Sequence, residues 1–252
     1  MKYTLKLFVI AYFFYSCSNK EQKQETAEAE SAAIAEPAKL TEQQKAEGLS
    51  LLFDGQTTNG WQIFKSRKNN TWEVADGTLH CKALLEGVAG VGDERSDIMT
   101  TGEYENFEFM FDWKLSKEGN SGVMFRVTEE FEQPYYSGPE YQIIDDVGYP
   151  GGLHDGQRTA DNYDMHIAEN KTVKPLGEWN SSKIHVNGTH IEHWLNGAKV
   201  VDYELGSADW TKRKAGSKWK DAKGYGLAKK GHLVLQDHGN EVWFRNLLIR
   251  KL

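Results

Sequence analysis

The segment NFEFMFDWKL, residues 106–115, decides the fold class because aromatic side chains alternate in it with mostly polar ones. Successive side chains of a β-strand point to opposite faces, so this segment is predicted to have one aromatic face and one polar face. The aromatic face carries Phe107, Phe109, Phe111 and Trp113, and the other carries Glu108, Met110, Asp112 and Lys114. The segment therefore predicts a strand of a sheet that is buried on one side.

The segments before and after it continue the same period of two. Residues 71–82, TWEVADGTLHCK, predict a hairpin around Asp76-Gly77. In SGVMFRV, residues 121–127, the alternation places Val123, Phe125 and Val127 inward and Met124 and Arg126 on the opposite face.

The C-terminal half is predicted to consist of strands as well. Asn-Gly turns at 187–188 and 196–197 divide residues 183–205 into a three-stranded meander, and residues 232–252 are predicted as a last hairpin. Many short strands at regular spacing predict an all-β fold, a jelly-roll β-sandwich of antiparallel sheets. No long stretch of helical period lies inside this domain.

Two long polar segments interrupt the strands, at residues 146–179 and 207–228. The second contains Trp210, Trp219 and several lysines. Long loops on a rigid β scaffold usually carry function or are disordered.

The N-terminus predicts export and lipidation. Lys2 and Lys6 precede an apolar run at residues 7–15, which is too short for a transmembrane helix and matches a signal peptide at residues 1–16. Cys17 follows a small residue, as in a bacterial lipobox, although an ordinary signal peptide with an incidental cysteine is the alternative. Lipidated Cys17 predicts a cell-envelope lipoprotein, periplasmic or on the outer-membrane surface, whose contact with the membrane is its lipid anchor.

Residues 17–48 are rich in Glu, Lys, Gln and Ala and predict a solvated, disordered tether, in which TEQQKAEGL is compatible with a helical turn or two. Residues 49–252 are the predicted domain. Its other cysteine, Cys81, lies in a predicted strand and is expected to be a buried apolar side chain.

Composition narrows the class of partner. A formal net charge of -7 gives no basic surface for nucleic acid, whereas 12% aromatic residues, including 8 Trp, suit a protein that binds carbohydrate.

The stretch GPEYQIIDD, residues 138–146, supplies the first candidate site. Glu140 and Gln142 share one strand face, and Asp145 completes a spacing similar to the E-x-D-x-x-E motif of laminarinase-like β-glucanases. Ordinary glycoside hydrolysis uses two carboxylates, and glutamine at 142 argues against that route. The alternative is a merely solvated polar face.

Further candidates come from other strands. Gln236 and His238 share a face in HLVLQDHG, and histidine transfers protons near neutral pH. Arg126 is a candidate clamp for a substrate oxygen, or the partner of a salt bridge to Glu140. His193 shares a face with Ile191 and Leu195, so its spacing alone favours a core histidine over a catalytic one.

The sequence contains no H-E-x-x-H zinc motif, phosphate-binding glycine loop or G-x-S-x-G elbow. No cofactor or metal ligand is therefore predicted, although the His and Asp residues at 151–166 leave a divalent metal as an open alternative.

Five stretches taken in order, LFDGQTTNGW, NSGVMFR, GPEYQIID, HIEHWLNGAKV and GHLVLQDHGNEVWFRNLLIRKL, resemble the 3-keto-disaccharide hydrolase family of bacterial lipoproteins and secreted proteins. The resemblance covers about residues 49–252 and implies a concanavalin-like β-sandwich that acts on glycosides oxidised at C3. The resemblance does not identify a catalytic pair of residues.

The chemistry that the resemblance implies needs one base, one enolate stabiliser and one acid. Glu140 and His238 are the candidate catalytic residues, and Arg126, Gln142, Asp145, His193 and Gln236 are candidates for binding an oligosaccharide or keto-glycoside. Two alternatives remain: a non-catalytic carbohydrate-binding lipoprotein and a laminarinase-like hydrolase.

Overall fold

The structure is a computed structural model that describes residues 36–84 and 94–252. The predicted signal peptide, Cys17 and the first part of the predicted tether lie outside the described residues. Within the described ranges, no helix has both the length and the apolar character needed to cross a membrane.

Strands dominate the described residues, as the alternation predicts. In chain order they are β1 (Ser50–Leu51), β2 (Trp61–Ile63), β3 (Trp72–Ala75), β4 (Thr78–Cys81), β5 (Ile98–Thr100), β6 (Phe107–Leu115), β7 (Asn120–Val127), β8 (Glu140–Ile144), β9 (Asn180–Asn187), β10 (His190–Leu195), β11 (Ala198–Glu204), β12 (His232–Leu235) and β13 (Val242–Lys251). The helices described are α1 (Glu42–Ala46) and α2 (Ala208–Gly216), with single 3-10 turns at Phe64–Ser66 and Pro134–Tyr136.

The strands form two antiparallel sheets that confirm the predicted sandwich. The eight-stranded sheet has the order β11-β10-β9-β6-β13-β4-β3, with β1 paired to β13, and the five-stranded sheet has the order β2-β5-β12-β7-β8. Each pairing between neighbouring strands is antiparallel.

The core lies between the sheets and contains the aromatic face of β6. Phe107 meets Phe125 of β7 edge to face, with ring centroids 6.5 Å apart, and Phe111 meets Tyr141 of β8 in the same way at 5.5 Å. All four rings are essentially inaccessible to solvent. Burying one such side chain contributes about 2 kcal/mol, so these contacts between the sheets are a large part of what holds them together.

Local predictions are mostly confirmed, with corrections at the last hairpin and in β7. The β3–β4 hairpin and the β9–β10–β11 meander form as expected, and residues 146–179 contain no helix or extended strand. The predicted last hairpin is wrong, because β12 belongs to the five-stranded sheet and β13 to the eight-stranded sheet. Asn-Gly and Asp-Gly turns identify hairpins, but residues 236–241 contain neither of these pairs. They connect the two sheets instead of forming a hairpin.

The alternation predicted for β7 breaks at Arg126, which has a φ of 52°. Val123 and Phe125 face the core as expected, whereas Val127 packs with Met124 on the outer face of the five-stranded sheet. The Arg126 guanidinium points to the sheet margin, where it donates to the carbonyl oxygens of Glu105 and Gly188.

The outer face of the five-stranded sheet has an apolar centre. Phe64, Met99, Met124, Val127 and Val234 form a second cluster there, separate from the main core, with Tyr135 packed against it. Glu140 is aligned with Met124 in the β7–β8 register and therefore borders this cluster.

Three loop segments converge beside β8. Residues 160–163 run along this edge strand, where Tyr163 N donates to Glu140 O and Gln142 N donates to Asp161 O. The second long polar segment, residues 207–228, is called the second long loop below. Its Trp219 donates the indole N–H to Tyr163 O at 2.9 Å. Gly226 N donates to Ser137 O at 2.8 Å, which joins the same loop to the segment before β8.

A row of stacked rings holds the second long loop on the sandwich. His166, Tyr203, Trp210, Tyr225 and Trp219 follow one another at centroid distances of 4.4, 5.6, 5.5 and 4.7 Å, each pair within 13° of parallel. Sequence spacing does not show this stack, because its members come from β11 and from two loops.

The end of the predicted tether is structured where it reaches the domain. Thr41 caps α1 by accepting from Gln44 N, while the Gln44 side chain accepts from Thr41 N. Ala38 N donates to Asp54 O at 2.8 Å. The helical turn expected in TEQQKAEGL is thus confirmed.

Candidate active site

Glu140 is the centre of the candidate site, on the outer face of the five-stranded sheet. Alternation along β8 sends Tyr141 and Ile143 into the core and leaves Glu140 and Gln142 on the outer face. Glu140 is only 3% exposed. Burial raises the pKa of its carboxyl to about 8, and the charge of Asp97 adds to the effect while Lys218 opposes it.

The Glu140 carboxyl occupies the space left by a missing side chain on β7. A Cβ atom placed on Gly122 would lie 2.1 Å from Glu140 Oε1. Any other residue at position 122 would displace the carboxyl, so the NSGVMFR stretch provides the room in which Glu140 lies.

Lys218 approaches Glu140 from the second long loop. Its ammonium group lies over the rings of Tyr163 and Trp219, 3.8 Å and 4.4 Å from their centroids. Lys218 N donates to Asp164 Oδ2 at 2.7 Å, which fixes the backbone. The side chain is exposed, yet its surroundings desolvate it enough to lower its pKa, against the attraction of Glu140 and Asp164.

His238 and Gln236 come from the connection after β12. His238 is exposed as a residue, yet partial burial of its imidazole lowers its pKa, with the positive charge of Lys218 contributing. Gln236 N donates to Gly122 O at 2.9 Å, which brings Gln236 beside the same glycine that makes room for Glu140.

Asp97 lies just before β5 and completes the cluster. Asp237 N donates to its Oδ1 at 2.7 Å. Burial nevertheless raises its pKa to about 7. Asp97, Glu140, Lys218 and His238 therefore form a connected set. Asp97 raises the pKa of Glu140, Glu140 and Lys218 shift the pKa of each other, and Lys218 lowers the pKa of His238.

The connection that carries His238 is held by a buried ion pair. The Asp237 carboxylate, whose side chain is fully buried, accepts from Arg95 Nε at 2.8 Å and from Thr71 Oγ1 at 2.6 Å. This pair fixes residues 236–239 relative to β3 and β5.

The structure brings together four of the predicted residues, namely Glu140, Gln142, Gln236 and His238. Gln142 Oε1 accepts from Ile143 N at 2.9 Å, which leaves its amide N–H groups as donors.

The other three predicted residues lie elsewhere, each for a physical reason. Asp145 accepts from the backbone N–H groups of Glu118, Val147 and Gly148 and caps the turn after β8, so its pKa is lowered and it does not face Glu140. Its carboxylate therefore does not complete the β-glucanase arrangement.

His193 and Arg126 are committed to other contacts. His193 is 0% exposed in the core, where Nδ1–H donates to Ala160 O at 2.9 Å and burial lowers its pKa to about 4. Arg126 is turned away by its backbone conformation and binds carbonyl oxygens. Neither side chain lies at this site, and within the described residues Arg126 forms no ion pair with Glu140.

Sequence reasoning missed Asp97 and Lys218. Asp97 and Met99 are two residues apart and share the outer face, so the short alternation in DIMT contained a usable signal. Lys218 lies in a lysine-rich loop without periodicity, and only the aromatic stack shows where it points.

Two other features of the described residues are separate from this cluster. A cavity of about 330 Å³ is lined by Trp113, Ile144 and Asp145 among others, and it is largely apolar. His190, Glu192 and Asp202, on β10 and β11, bring potential metal-ligand atoms within 4.8 Å of one another. Lys199 already forms an ion pair with both carboxylates there, so this group is explained as a surface charge network.

Comparisons with known proteins agree with this fold and place the chain among sugar-active relatives. Residues 48–250 match the model of the 3-keto-alpha-glucoside-1,2-lyase-like domain. The chain is 31% identical to a 3-keto-disaccharide hydrolase of Bacteroides thetaiotaomicron over 286 aligned residues, covering 99% of this chain and 98% of that protein.

Crystal structures from Parabacteroides distasonis ATCC 8503, provisionally described as glycosyl hydrolases, share the architecture. One is 40% identical, with a TM-score of 0.77, and covers 86% of this chain and 99% of that one. A second is 29% identical, with a TM-score of 0.57, and covers 76% of this chain and 99% of that one.

Proposed function

Because the chain belongs to the 3-keto-alpha-glucoside-1,2-lyase-like family, we propose that it is an enzyme that cleaves glycosides carrying a ketone at C3 of the sugar. The observation that carries this proposal is the connected set Asp97, Glu140, Lys218 and His238 on one face. A site that only binds sugar needs aromatic and amide groups, whereas this one gathers groups that exchange protons.

The chemistry follows from the ketone. A carbonyl at C3 acidifies the hydrogen on C2, so a base removes that proton and the C1 substituent then leaves by elimination. Water adds to C1 of the resulting unsaturated ketone and C2 is reprotonated, which completes the hydrolysis. The reaction requires a base, an acid for the departing oxygen and a positive charge near the enolate.

The proposed roles follow from the pKa shifts. The lowered pKa of His238 keeps its imidazole neutral near pH 7, so we assign it as the base. The raised pKa of Glu140 keeps a large fraction of it protonated, so it suits protonation of the leaving oxygen. Lys218 supplies positive charge, and the Gln142 and Gln236 side chains bind sugar hydroxyls.

One observation favours a second candidate, ordinary glycoside hydrolysis. Asp97 and Glu140 are two carboxyl groups that interact electrostatically, and two carboxyls are what that mechanism needs. This would make the substrate an unoxidised glycoside.

The deciding experiment compares a 3-keto-glucoside with its unoxidised parent and measures the released sugar, with and without chelator. Cleavage of the keto form alone supports elimination, and loss of activity with chelator would add a metal to the mechanism. Cleavage of the parent would favour the Asp97–Glu140 route. Binding of either compound without cleavage would overturn the enzymatic proposal in favour of a carbohydrate-binding protein.

We further propose that the protein is anchored in the cell envelope through lipidated Cys17. Metabolic labelling with a fatty acid should label the wild-type chain and leave Cys17→Ser unlabelled. Equal labelling of both chains would contradict the anchor.

A further inference from the structure

Lys218 has the setting of a reactive amine. It is exposed, but Ser217 and Trp219 on either side of it are buried, and its own backbone N–H is bound by Asp164. The loop is therefore fixed while the side chain reaches an open surface. Its Nζ rests on the rings of Tyr163 and Trp219.

Among the described residues, the amine also has no direct carboxylate partner. Within the described part of the chain, Lys218 forms no ion pair, although it interacts electrostatically with Glu140 and Asp164. Tyr163 N donates to Glu140 O at 3.0 Å, and Lys218 Nζ lies over the Tyr163 ring, so the amine lies close to the end of β8 that carries Glu140. Other lysines of the chain, such as Lys183 and Lys199, are held in ion pairs.

Desolvation increases the nucleophilicity of this amine. Partial burial lowers its pKa against the attraction of Glu140 and Asp164, so more of it is in the neutral, nucleophilic form near pH 7 than for a solvated lysine. A lysine in an apolar setting beside an acid is the arrangement from which Schiff bases with carbonyl substrates form.

We propose that Lys218 Nζ forms a Schiff base with the C3 carbonyl of the substrate. This inference rests on the proposed function, since it needs a ketone at that carbon. It replaces the enolate by an enamine, and it makes Lys218 a covalent participant rather than a nearby charge.

The steps balance without an added oxidant or reductant. Nζ adds to C3 and passes one proton to the carbonyl oxygen, which takes a second proton from solvent and leaves as water, so that an iminium ion remains. The final hydrolysis of the C=N bond returns that proton to solvent. His238 removes the C2 proton, and the electron pair of that C–H bond forms the enamine. The enamine expels the C1 oxygen, which takes a proton from Glu140, and a conjugated iminium remains.

Water then adds to C1 and gives up a proton to the Glu140 carboxylate. Reprotonation of C2 by His238 regenerates the iminium ion, and hydrolysis of the C=N bond releases the 3-keto-sugar and the free amine. The iminium nitrogen carries a positive charge, so it draws electrons from C2 more strongly than a neutral ketone does.

The test is reductive trapping on the full chain. Sodium cyanoborohydride reduces an iminium ion to a stable amine, so incubation with a 3-keto-glucoside should inactivate the protein irreversibly. Mass spectrometry should find one sugar-derived adduct on the peptide containing Lys218. The unoxidised parent glucoside with the same reductant should give no adduct.

Matched variants separate the covalent role from a charge effect. Lys218→Arg keeps the charge but cannot form the imine, and it should lose both cleavage and adduct. Lys220→Arg, two residues further on and exposed, should behave like the wild type. Thermal unfolding of each variant checks that the fold is kept.

A rescue gives an independent measure. Lys218→Cys should be inactive and should regain cleavage after alkylation with bromoethylamine, which rebuilds an amine of nearly the same length. Cys81 is buried, and alkylated wild-type protein controls for reaction at other sites.

The outcomes distinguish this inference from the proposed function. Cleavage of the 3-keto-glucoside without an adduct, or an active Lys218→Arg, would overturn the Schiff base while the elimination reaction stands. Failure of the wild type to cleave the 3-keto-glucoside would overturn the proposed function itself.

Discussion

Gly122 is the smallest residue in the candidate site and one of the most constrained. We predict that Gly122→Ala displaces the Glu140 carboxyl, because the new Cβ would lie 2.1 Å from Oε1. Displacement of a catalytic group by about 1 Å lowers the rate on the order of 10²-fold. Assay of 3-keto-glucoside cleavage measures the loss, and thermal unfolding should show a change of only a few degrees.

Gly216→Ala is the control for this prediction. Gly216 lies at the end of α2, and an added Cβ there meets no atom within 4 Å. It should leave the rate and the stability close to those of the wild type. A fully active Gly122→Ala would show that the position of Glu140 does not matter to the reaction.

The pH dependence of cleavage is a second residue-scale prediction. His238 has to be neutral and Glu140 protonated, so kcat/KM should fall on the acid side below the ordinary pKa of histidine and on the alkaline side near pH 8. Glu140→Gln should remove the alkaline limb and lower the rate about 10²- to 10⁴-fold.

Glu130→Gln, at an exposed carboxylate after β7, is the matched substitution and should keep both limbs. An alkaline limb that survives in Glu140→Gln would assign that limb to another group, and Glu140 would lose its role as the acid.

The second long loop is the element on which the site depends most. Trp210 is 4% exposed and stacks between Tyr203 and Tyr225. We predict that Trp210→Ala costs about 3–5 kcal/mol of stabilisation of this loop. Hydrogen exchange should become faster at residues 207–228, and cleavage should fall because Lys218 is no longer fixed.

Trp179→Ala gives the comparison for the loop. Trp179 is partly exposed on the eight-stranded side of the sandwich, where Arg245 lies 4.0 Å from its ring. Its loss should leave exchange at 207–228 unchanged. Equal exchange in the two variants would mean that the aromatic stack does not anchor the loop.

The loop also marks the limit of what the sequence predicts. The alternation in β6 and β8 predicts the sandwich and the outward direction of Glu140 and Gln142, because burial on one face leaves a period of two. Lys218 and the stack carry no such period, since their partners lie far apart in the chain. The predicted position of Arg126 is wrong because Arg126 itself has a positive φ. That backbone conformation interrupts the alternation, so Val127 also points to the face opposite the predicted one.

At the scale of the whole molecule, buried titratable groups set the pH range of stability. Burial lowers the pKa of His193 and of His166 to about 4. Each stays neutral in the folded protein while the unfolded chain binds a proton near pH 6.5, so the free energy of unfolding should fall as pH decreases from about 6.5 to 4. Glu140 has the opposite sign, because its folded pKa is the higher one.

We therefore predict opposite effects of two substitutions on urea unfolding measured from pH 4 to 9. His193→Gln should flatten the loss of stability between pH 6.5 and 4. Glu140→Gln should be increasingly stable relative to the wild type as pH rises from about 4.5 to 8, reaching a difference on the order of 1–3 kcal/mol. Parallel curves for wild type and variants would contradict the assignment.

The position of the last strand has a consequence for biosynthesis. β13 comes after every other described strand along the chain, and it pairs with β6 and β4 in the middle of the eight-stranded sheet and also with β1. Synthesis runs from the N-terminus, so the ribosome makes this central strand after the strands on both sides of it. Until β13 emerges, the strands already made leave a gap between β6 and β4. The eight-stranded sheet therefore closes late in synthesis, when its central strand joins strands that are already complete.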